Sequence, residues 1–306
     1  MILVAGEALI DLVASFDGSI EAHPGGAPFN VCCTIARLER QAAFLGALSQ
    51  DRFGTTLRRA LASEGVDLSA VVDVAWPTTI ALADLDESGA ATYHFYVEGT
   101  SAPAVDEAAV AAALRLAPSA LHVGTLGLVL EPLASAMRTL VDGVGGDALV
   151  LIDPNCRPTV TADRVRYLET VAYCARRADV IKVSDEDLEF LAPGVDAVRA
   201  TRALLRGRAV GLVTRGADGV TIVTADQTVD VAAPHLTVVD TVGAGDGIGG
   251  AFLAYWDEHQ LGRGDVEDLD RVVEAVRFGV EVAAMICERA GADPPRRAEV
   301  AARITA

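Results

Sequence analysis

DTVGAGDGIGGAF, running from Asp240 to Phe252, is the most informative segment of this chain. Its glycines predict a turn that opens a helix, and such a turn exposes backbone N–H groups and the positive end of the helix dipole, which together hold an anion. The lone carboxylate of Asp246 suits this place if it acts on a bound group, such as a phosphoryl group beside a hydroxyl that must lose its proton. The alternative is an ordinary loop in which Asp246 caps the helix.

The same segment contains the spacing G-x-G-x-x-G at Gly245, Gly247 and Gly250. In a dinucleotide-binding turn this pattern follows a strand, opens a helix and leads to a second strand with an acidic residue. Here the next segment, Val266–Arg289, is predicted to be helical, so a dinucleotide site is disfavoured.

Composition limits the class of protein. The 306 residues are 51% apolar, enough to bury the core of one large domain, which we place at 1–306. A net charge of −18 argues against a nucleic-acid partner or an anionic membrane. Five scattered cysteines, no basic leader and no apolar run of membrane-spanning length predict a cytoplasmic protein.

Lysine usage excludes one way of binding phosphate. Lys182 is the only lysine in the chain, and it lies in a strand-like run rather than in G-x-x-x-x-G-K-[ST]. The chain therefore has no P-loop, and the protein-kinase motifs H-R-D and D-F-G are also missing from its sequence. A phosphotransferase with this sequence must hold phosphates in another way.

Short apolar runs alternate with longer helical patterns along most of the chain. This alternation predicts an α/β fold with a buried, mostly parallel sheet covered by helices on both faces, and ligands outside the carboxyl ends of its strands. The predicted strands are Ile2–Ala5, Ala43–Leu48, Ala120–Val123, Leu149–Ile152, Val180–Val183, Val210–Val213 and Val220–Val223. The predicted helices are Phe29–Leu38, Phe53–Glu64, Asp106–Leu116, Pro132–Val141, Val165–Arg176 and Val198–Leu205.

Two segments, Leu12–Glu21 and Thr78–Tyr96, follow the period of a strand instead, and the second contains a turn predicted at Glu87-Ser88-Gly89. They predict a small sheet over the open edge of the main domain, formed by segments at about 12–24 and 76–104. The residues leave two readings open: a lid, or merely extra edge strands.

A second polar cluster is predicted near the amino terminus. Asp11 follows the first strand, and Gly25, Gly26 and Asn30 lie at the start of a helix. Two glycines let a polyol approach the backbone, and the aspartate and asparagine supply hydrogen-bonding groups for hydroxyls. The alternative is an ordinary glycine turn with Asn30 in the first turn of the helix.

Two motifs resemble those that define the ribokinase-like (PfkB) carbohydrate kinases: GGxxxN from Gly25 to Asn30, and DTxGAGD from Asp240 to Asp246. The resemblance extends from Gly6 to Pro294 and implies a three-layer αβα fold with a small β-sheet lid. Three further motifs are most similar to fructokinases and 2-keto-3-deoxygluconate kinases: GEALID from Gly6, HPGGAPxN from His23 and DPNxRP from Asp153.

The resemblance implies roles for these residues. Asp246 would be the general base that deprotonates a primary hydroxyl of the sugar, and Gly243, Ala244 and Gly245 would form the anion hole for the transferred phosphoryl group. The residues expected at the sugar are Asp11, Gly25, Gly26, Asn30, Phe95 and Arg157. For Arg157, which follows a strand, an exposed salt bridge is the alternative.

The nucleotide and metal sites are less well marked. Thr214, Gly216 and Gly219 resemble the family's T-x-G-x-x-G nucleotide turn, for which a simple hairpin is the alternative, and Ala283 and Cys287 would border the adenine. Ser184 and Asp187 occupy the spacing at which the family often has Asn-x-x-Glu, which organises Mg²⁺ through water. An N-cap with an acidic first helical turn is the other reading of these two residues.

The resemblance thus predicts an ATP- and Mg²⁺-dependent sugar kinase, with K⁺ as a further candidate cofactor. Fructose is the first choice of acceptor, a 2-keto-3-deoxy sugar acid the second and a nucleoside the third. A carboxylate-bearing sugar would need a nearby cation, whereas Glu98 in the lid segment would repel it. A non-catalytic sugar- or nucleotide-binding regulator is the alternative of another class, and Asp246 argues against it. A homodimer formed through the lid is also predicted.

Overall fold

The computed structural model describes residues 1–87 and 91–305. Its strands are β1 (Ile2–Ala5), β2 (Leu9–Ala14), β3 (Ile20–Gly25), β4 (Ala42–Leu45), β5 (Ala47–Ser49), β6 (Val72–Val74), β7 (Ile80–Leu85), β8 (Ala91–Tyr96), β9 (Ala120–Gly124), β10 (Leu149–Asp153), β11 (Val180–Ser184), β12 (Val210–Thr214), β13 (Val220–Val223) and β14 (Thr228–Val231). Its α-helices are α1 (Ala27–Arg37), α2 (Arg52–Ser63), α3 (Glu107–Leu114), α4 (Leu133–Gly143), α5 (Arg164–Ala175), α6 (Asp185–Leu191), α7 (Ala197–Leu204), α8 (Ala244–Glu258), α9 (Leu269–Cys287) and α10 (Arg297–Ile304).

Eight strands form the main sheet, in the order β14-β13-β12-β11-β10-β9-β1-β4. The six strands from β12 to β4 are parallel, whereas β13 and β14 continue the sheet antiparallel at one edge. Side chains on both faces of the sheet belong to buried apolar clusters, because helices cover both sides. The predicted α/β class with a mostly parallel sheet and helices on both faces is confirmed.

A smaller sheet has the order β3-β2-β7-β8. The prediction of one strand-like segment at Leu12–Glu21 was wrong, since the structure has two strands there, β2 ending at Ala14 and β3 beginning at Ile20. A turn separates them, in which Ser15 N–H donates to Ser19 O at 2.9 Å and the Asp17 carboxylate accepts from Ser19. In the second predicted segment β7 and β8 pair antiparallel; of the turn expected between them, Ser88 and Gly89 lie outside the described residues.

The single strand predicted at Ala43–Leu48 is divided in two by Gly46. A Cβ atom at Gly46 would lie 2.5 Å from the Phe44 ring and 2.6 Å from Gly6 O. Only glycine therefore allows the backbone at position 46 to lie this close to Gly6, which directly follows β1. β4 stays in the main sheet, and β5 leaves it to pair with β6.

Glycines in α8 allow close packing of helices. A Cβ atom at Gly247 would lie 2.3 Å from Ile286 Cδ1 in α9, and one at Gly250 would lie 2.8 Å from Thr34 Cβ in α1. The G-x-G-x-x-G spacing therefore serves helix packing, and α8 is followed by another helix, as predicted, rather than by a strand. Within residues 1–87 and 91–305, no helix combines the length and apolar character needed to cross a membrane.

Candidate active site

The turn before α8 has the geometry that the glycine motif predicts. Gly243 is the N-cap in a left-handed conformation (φ 78°), and a Cβ atom there would lie 2.6 Å from Ala292 Cβ. Asp246 is the third residue of the helix and makes no capping hydrogen bond, so the N-cap alternative for Asp246 is wrong. Among the predicted anion-hole amides, Ala244 N–H donates to Thr241 O at 3.2 Å. Helix geometry leaves the next two N–H groups without an intrahelical acceptor.

The two glycine motifs meet in space. Asn30, in the first turns of α1, donates a hydrogen bond from Nδ2 to Asp246 Oδ2 at 2.8 Å, although the two residues are 216 positions apart. Gly26 makes this possible as the N-cap of α1 with φ 103°. Asn30 and Asp246 are each 8% exposed. Burial raises the pKa of Asp246, whereas the hydrogen bond from Asn30 and the charges of Lys182 and Arg157 lower it.

Asp11 lies on β2 of the smaller sheet and interacts electrostatically with Asp246. A Cβ atom at Gly25 would lie 1.9 Å from Asp11 Oδ2, so glycine leaves room for this carboxylate. Burial raises the pKa of Asp11 to about 6, Asp246 adds to the rise, and Arg157 opposes it. Thus Asp11, Gly25, Gly26 and Asn30 are brought together next to Asp246.

Arg157 follows β10 and is half-buried. Its guanidinium donates to Asn155 O at 3.2 Å and to Cys156 O at 3.1 Å. It makes no salt bridge with any residue that the structure describes, so the alternative of an exposed salt bridge is wrong. Its charge lowers the pKa of Glu7, Asp11 and Asp246 alike, which places it among these carboxylates.

Three charged residues of this region were not predicted. Glu7 is 1% exposed, its Oε2 atom has no described partner, and burial raises its pKa to about 8. Asp153, at the end of β10, accepts a hydrogen bond from Lys182 Nζ of β11 at 2.7 Å. The available signal was a charged residue inside or at the end of an otherwise apolar strand, as in Ile181-Lys182-Val183.

Phe95 connects the small sheet to the main body. It lies on β8, is half-buried and packs against the buried cluster of Leu9, Ala81 and Leu126. Glu98, by contrast, is exposed in the turn after β8. Solvent weakens the repulsion that this carboxylate could exert on an acidic sugar.

The predicted nucleotide turn is a hairpin between β12 and β13. Arg215 N–H donates to Gly219 O at 2.8 Å, and a Cβ atom at Gly219 would lie 2.1 Å from Val231 O. Gly216 and Gly219 both have positive φ, 51° and 87°. Thr214 ends β12 at the same edge of the sheet as Ser184 of β11, because the two residues are register partners. The hairpin alternative describes the local structure, and a nucleotide role for Thr214 stays a prediction.

The residues predicted near the adenine lie on α9. Cys287 O accepts the N–H of Val239 at 2.8 Å, which ties the loop before Asp240 to this helix. Asp240 in turn accepts the N–H of Gly291 at 2.8 Å. Ala283 is 8% exposed, and its Cα would lie 3.9 Å from a Cβ atom at Gly247. The contact of Ala283 and Cys287 with adenine stays a prediction.

Ser184 and Asp187 form a capping box at the start of α6. Ser184 Oγ accepts Asp187 N–H at 3.0 Å, while the Asp187 carboxylate accepts Ser184 N–H at 2.8 Å and Cys156 N–H at 2.5 Å. Both oxygens of this buried carboxylate are therefore engaged by the backbone, which does not suit direct metal ligation. Across the described parts of the chain, no group of three or more His, Cys, Asp or Glu side chains is arranged to hold a metal ion.

Known proteins share this sequence and architecture. The sequence model of the pfkB family carbohydrate kinases matches residues 1–298. A fructokinase from Rhizobium leguminosarum bv. trifolii is 33% identical over 285 residues, covering 91% of this chain and 86% of its own length.

Solved structures agree with the sequence relatives. A fructokinase from Xylella fastidiosa with bound ATP is 27% identical, with a TM-score of 0.88 over 99% of this chain and 98% of its own. A double-mutant fructokinase from Vibrio cholerae O395, with fructose, ADP and a potassium ion bound, is 26% identical, with a TM-score of 0.84 over 98% of this chain and 97% of its own. The chain therefore belongs to the pfkB family of carbohydrate kinases, as its motifs indicated, and is a sugar kinase that acts as a phosphotransferase.

Proposed function

We propose that this sugar kinase transfers the γ-phosphoryl group of ATP to a primary hydroxyl of fructose. One observation carries the proposal: a buried carboxylate, Asp246, lies in the first turn of α8 and accepts a hydrogen bond from Asn30 of the amino-terminal polar cluster. A base beside helix N-terminal amides can act on a hydroxyl while those amides hold the phosphate. The Vibrio fructokinase that binds fructose and ADP supports the choice of sugar.

In the proposed reaction, the Asp246 carboxylate takes the proton of the sugar hydroxyl while that oxygen forms a bond to the γ-phosphorus. The bond from the γ-phosphorus to the β–γ bridging oxygen breaks, and ADP leaves with the electron pair. We assign Gly243, Ala244 and Gly245 to the anion hole that stabilises the transferred group. Gly245 N–H is best placed for this, because Ala244 N–H already donates to Thr241 O.

The sugar is proposed to lie between Asp11, Asn30 and Arg157, with Phe95 over it from the small sheet. Glycine at position 25 leaves the space that the Asp11 carboxylate occupies, and Gly26 lies against Glu7 O, so we propose that both glycines serve the sugar site by shaping the backbone around Asp11. We propose that segments 12–24 and 76–104 act as a lid of a single kinase domain and exclude water, since hydrolysis of ATP would otherwise compete.

Mg²⁺ is proposed to enter with ATP and to be held mainly by the nucleotide phosphates and water. The capping box at Ser184 and Asp187 suits water-mediated contact at most, because both Asp187 oxygens accept backbone hydrogen bonds. Bound Mg²⁺ would supply charge neutralisation at the phosphates. K⁺ is proposed as a second cation, since the Vibrio fructokinase contains it.

The lid is also proposed to pair two copies of the chain in a cytoplasmic homodimer. Large apolar side chains in both lid segments are exposed, including Phe16 and Ile20 in 12–24 and Tyr93 and Tyr96 in 76–104. Covering such side chains with a second copy would remove apolar surface from water. Sedimentation that gives the mass of a monomer at micromolar concentration would contradict this assembly.

A 2-keto-3-deoxy sugar acid is the second candidate acceptor, and Arg157 favours it. This guanidinium has no carboxylate partner among the described residues, so it could bind a substrate carboxylate. Asp11 and Asp246 interact with this guanidinium, however, and their negative charges reduce its attraction for another anion. Fructose therefore stays the first choice.

The acceptor can be tested by measuring kcat/KM with ATP and Mg²⁺ over a panel containing fructose, 2-keto-3-deoxygluconate and ribosides. The proposal expects fructose to be the best substrate and Arg157→Met to retain a measurable rate with it. A preference for the acid sugar that Arg157→Met abolishes would assign the acceptor to the second candidate. No phosphorylation of any member would contradict the proposed function.

A further inference from the structure

A buried ion pair lies beneath the first turn of α8. Lys182 Nζ of β11 donates to Asp153 Oδ2 of β10 at 2.7 Å, and the two side chains are 4% and 2% exposed. Placing these charges away from water is costly, and a pair at such a position is retained without a large gain in stability. Its location therefore calls for another explanation.

The pair is aimed at the glycine turn. A Cβ atom at Gly245 would lie 3.3 Å from Lys182 Nζ, and one at Gly249 would lie 3.9 Å from Lys182 Cδ. The lysine side chain therefore runs along the inner face of the first turns of α8, and its ammonium lies under Gly245. Asp153 holds it there, and the second oxygen of Asp153 has no described partner.

Charges of both signs face Asp246 at this point. Lys182 and Arg157 favour its ionised form, and Asn30 donates to it. Three carboxyl groups also face Asp246, and its charge raises the pKa of each; they are Glu7, Asp11 and Asp153.

Lys182 itself also faces Asp187 of α6 and His122 of β9. Burial and Lys182 together lower the pKa of His122 to about 3, so this ring adds no charge. Among the residues that the structure describes, Lys182 and Arg157 are thus the two cations that face Asp246.

We propose that the Lys182–Asp153 pair is a positioning element that keeps Asp246 ionised when sugar and ATP fill the cleft. This inference rests on the proposed role of Asp246 as the base. Binding of sugar removes water from the carboxylate, and ATP brings more negative charge, and both changes favour protonation of Asp246. An ammonium inside the protein cannot be displaced by either substrate. Asp153 fixes the ammonium and balances its charge, so it acts on Asp246 through Lys182.

Two substitutions should move the same pH profile in opposite directions. In Lys182→Met the acidic limb of kcat, which reports ionisation in the complex with both substrates, should move up by about one pH unit, because an opposite charge near the carboxylate is lost. In Asp153→Asn the limb should move down, since the amide still accepts from Nζ but no longer balances its charge. The double variant should follow Lys182→Met, because without the ammonium the buried Asp153 carboxyl is protonated and carries no charge.

Arg263→Met is the matched control. Arg263 Nε donates to Asp179 at 2.6 Å, and Asp179 precedes β11 at the opposite edge of the sheet from Asp246. This variant removes one of the two arginine partners of the buried Asp179 carboxylate, next to the same strand, so its melting temperature should fall while its acidic limb stays at the wild-type pH.

The outcomes separate the inference from the function on which it rests. If both single variants are active and their acidic limbs stay at the wild-type pH, or move in the same direction, the inference is overturned and the proposed function stands. A wild-type chain that phosphorylates no sugar overturns the proposed function itself. If Lys182→Met does not fold, the near-isosteric Asp153→Asn decides: a limb that does not move down overturns the inference.

Discussion

Replacing Asn30 by leucine removes the one hydrogen bond that the structure gives to the Asp246 side chain while keeping a side chain of similar size. Asn30 donates to Asp246 Oδ2 at 2.8 Å, and both residues are buried. A hydrogen bond to a charged group contributes about 1.5–3 kcal/mol, which at about 1.4 kcal/mol per pKa unit corresponds to about one to two units.

The sign follows from which form is stabilised. Asn30 stabilises the ionised carboxylate and lowers the pKa of Asp246, so its loss raises that pKa. Fewer molecules then carry an ionised base at low pH. The acidic limb of kcat should therefore move up by about one to two pH units. The assay is a coupled measurement of ADP release with fructose from pH 5 to 9, and the KM for fructose should rise as well because Asn30 is proposed to bind the sugar.

Thr34→Val is the matched control, since Thr34 lies one turn further along α1, is buried and donates to Asn30 O at 2.9 Å. It removes a buried hydrogen bond on the same helix without touching the carboxylate. Its pH profile should coincide with that of the wild type. A folded Asn30→Leu variant with an unmoved acidic limb would refute the reasoning that couples the two motifs.

Three further substitutions test the geometry. Gly243→Ala should lower kcat by about 10²-fold or more. The added methyl group would lie 2.6 Å from Ala292 Cβ and the positive φ would be strained, so the anion-hole amides would be displaced. Steady-state kinetics on a variant shown to be folded tests this, and a rate close to that of the wild type would argue against it. Gly250→Ala should lower the free energy of unfolding by about 1–3 kcal/mol, because the added methyl group would push α1 away from α8. Gly146→Ala is its control: a Cβ atom there would have no neighbour within 4 Å, so thermal unfolding should change little. In the wild type the KM for sugar should rise as the pH falls through about 6, where Asp11 becomes protonated. Asp11→Asn should have a high KM that varies little over this range, and a KM that still follows the pH would exclude Asp11 as the cause.

The sequence was sufficient to predict the parallel part of the main sheet and the turn before α8, but not β14 or the antiparallel edge. Alternating apolar runs specified the parallel strands, and the glycines before Asp246 predicted a turn with exposed amides. The rule that ligands bind at the carboxyl ends of parallel strands also predicted the edge of the sheet at which the site lies. The hydrogen bond between these side chains could not be predicted, because its geometry depends on how α1 packs on α8.

Other features depend on contacts that are distant in sequence. A lysine within an apolar strand has no visible partner until the sheet order sets β10 beside β11, so the role of Lys182 was missed. The break at Gly46 depends on the Phe44 ring and on Gly6 of the neighbouring strand. The spacing of Ser184 and Asp187 suits a capping box and a metal-organising pair equally. The contact with Cys156 N–H, which is distant in sequence, engages the carboxylate oxygen that the capping box leaves free.

The most direct test of the proposed base is phosphoryl transfer from ATP to fructose by the wild type and by Asp246→Asn, followed by phosphorus NMR. Asparagine keeps the shape of the side chain and its contact with Asn30 but cannot take a proton at neutral pH. The account predicts formation of a fructose phosphate and ADP by the wild type, and a loss of kcat of about 10²-fold or more in the variant with its fold intact. Equal turnover by the two proteins would contradict the claim that Asp246 is the base.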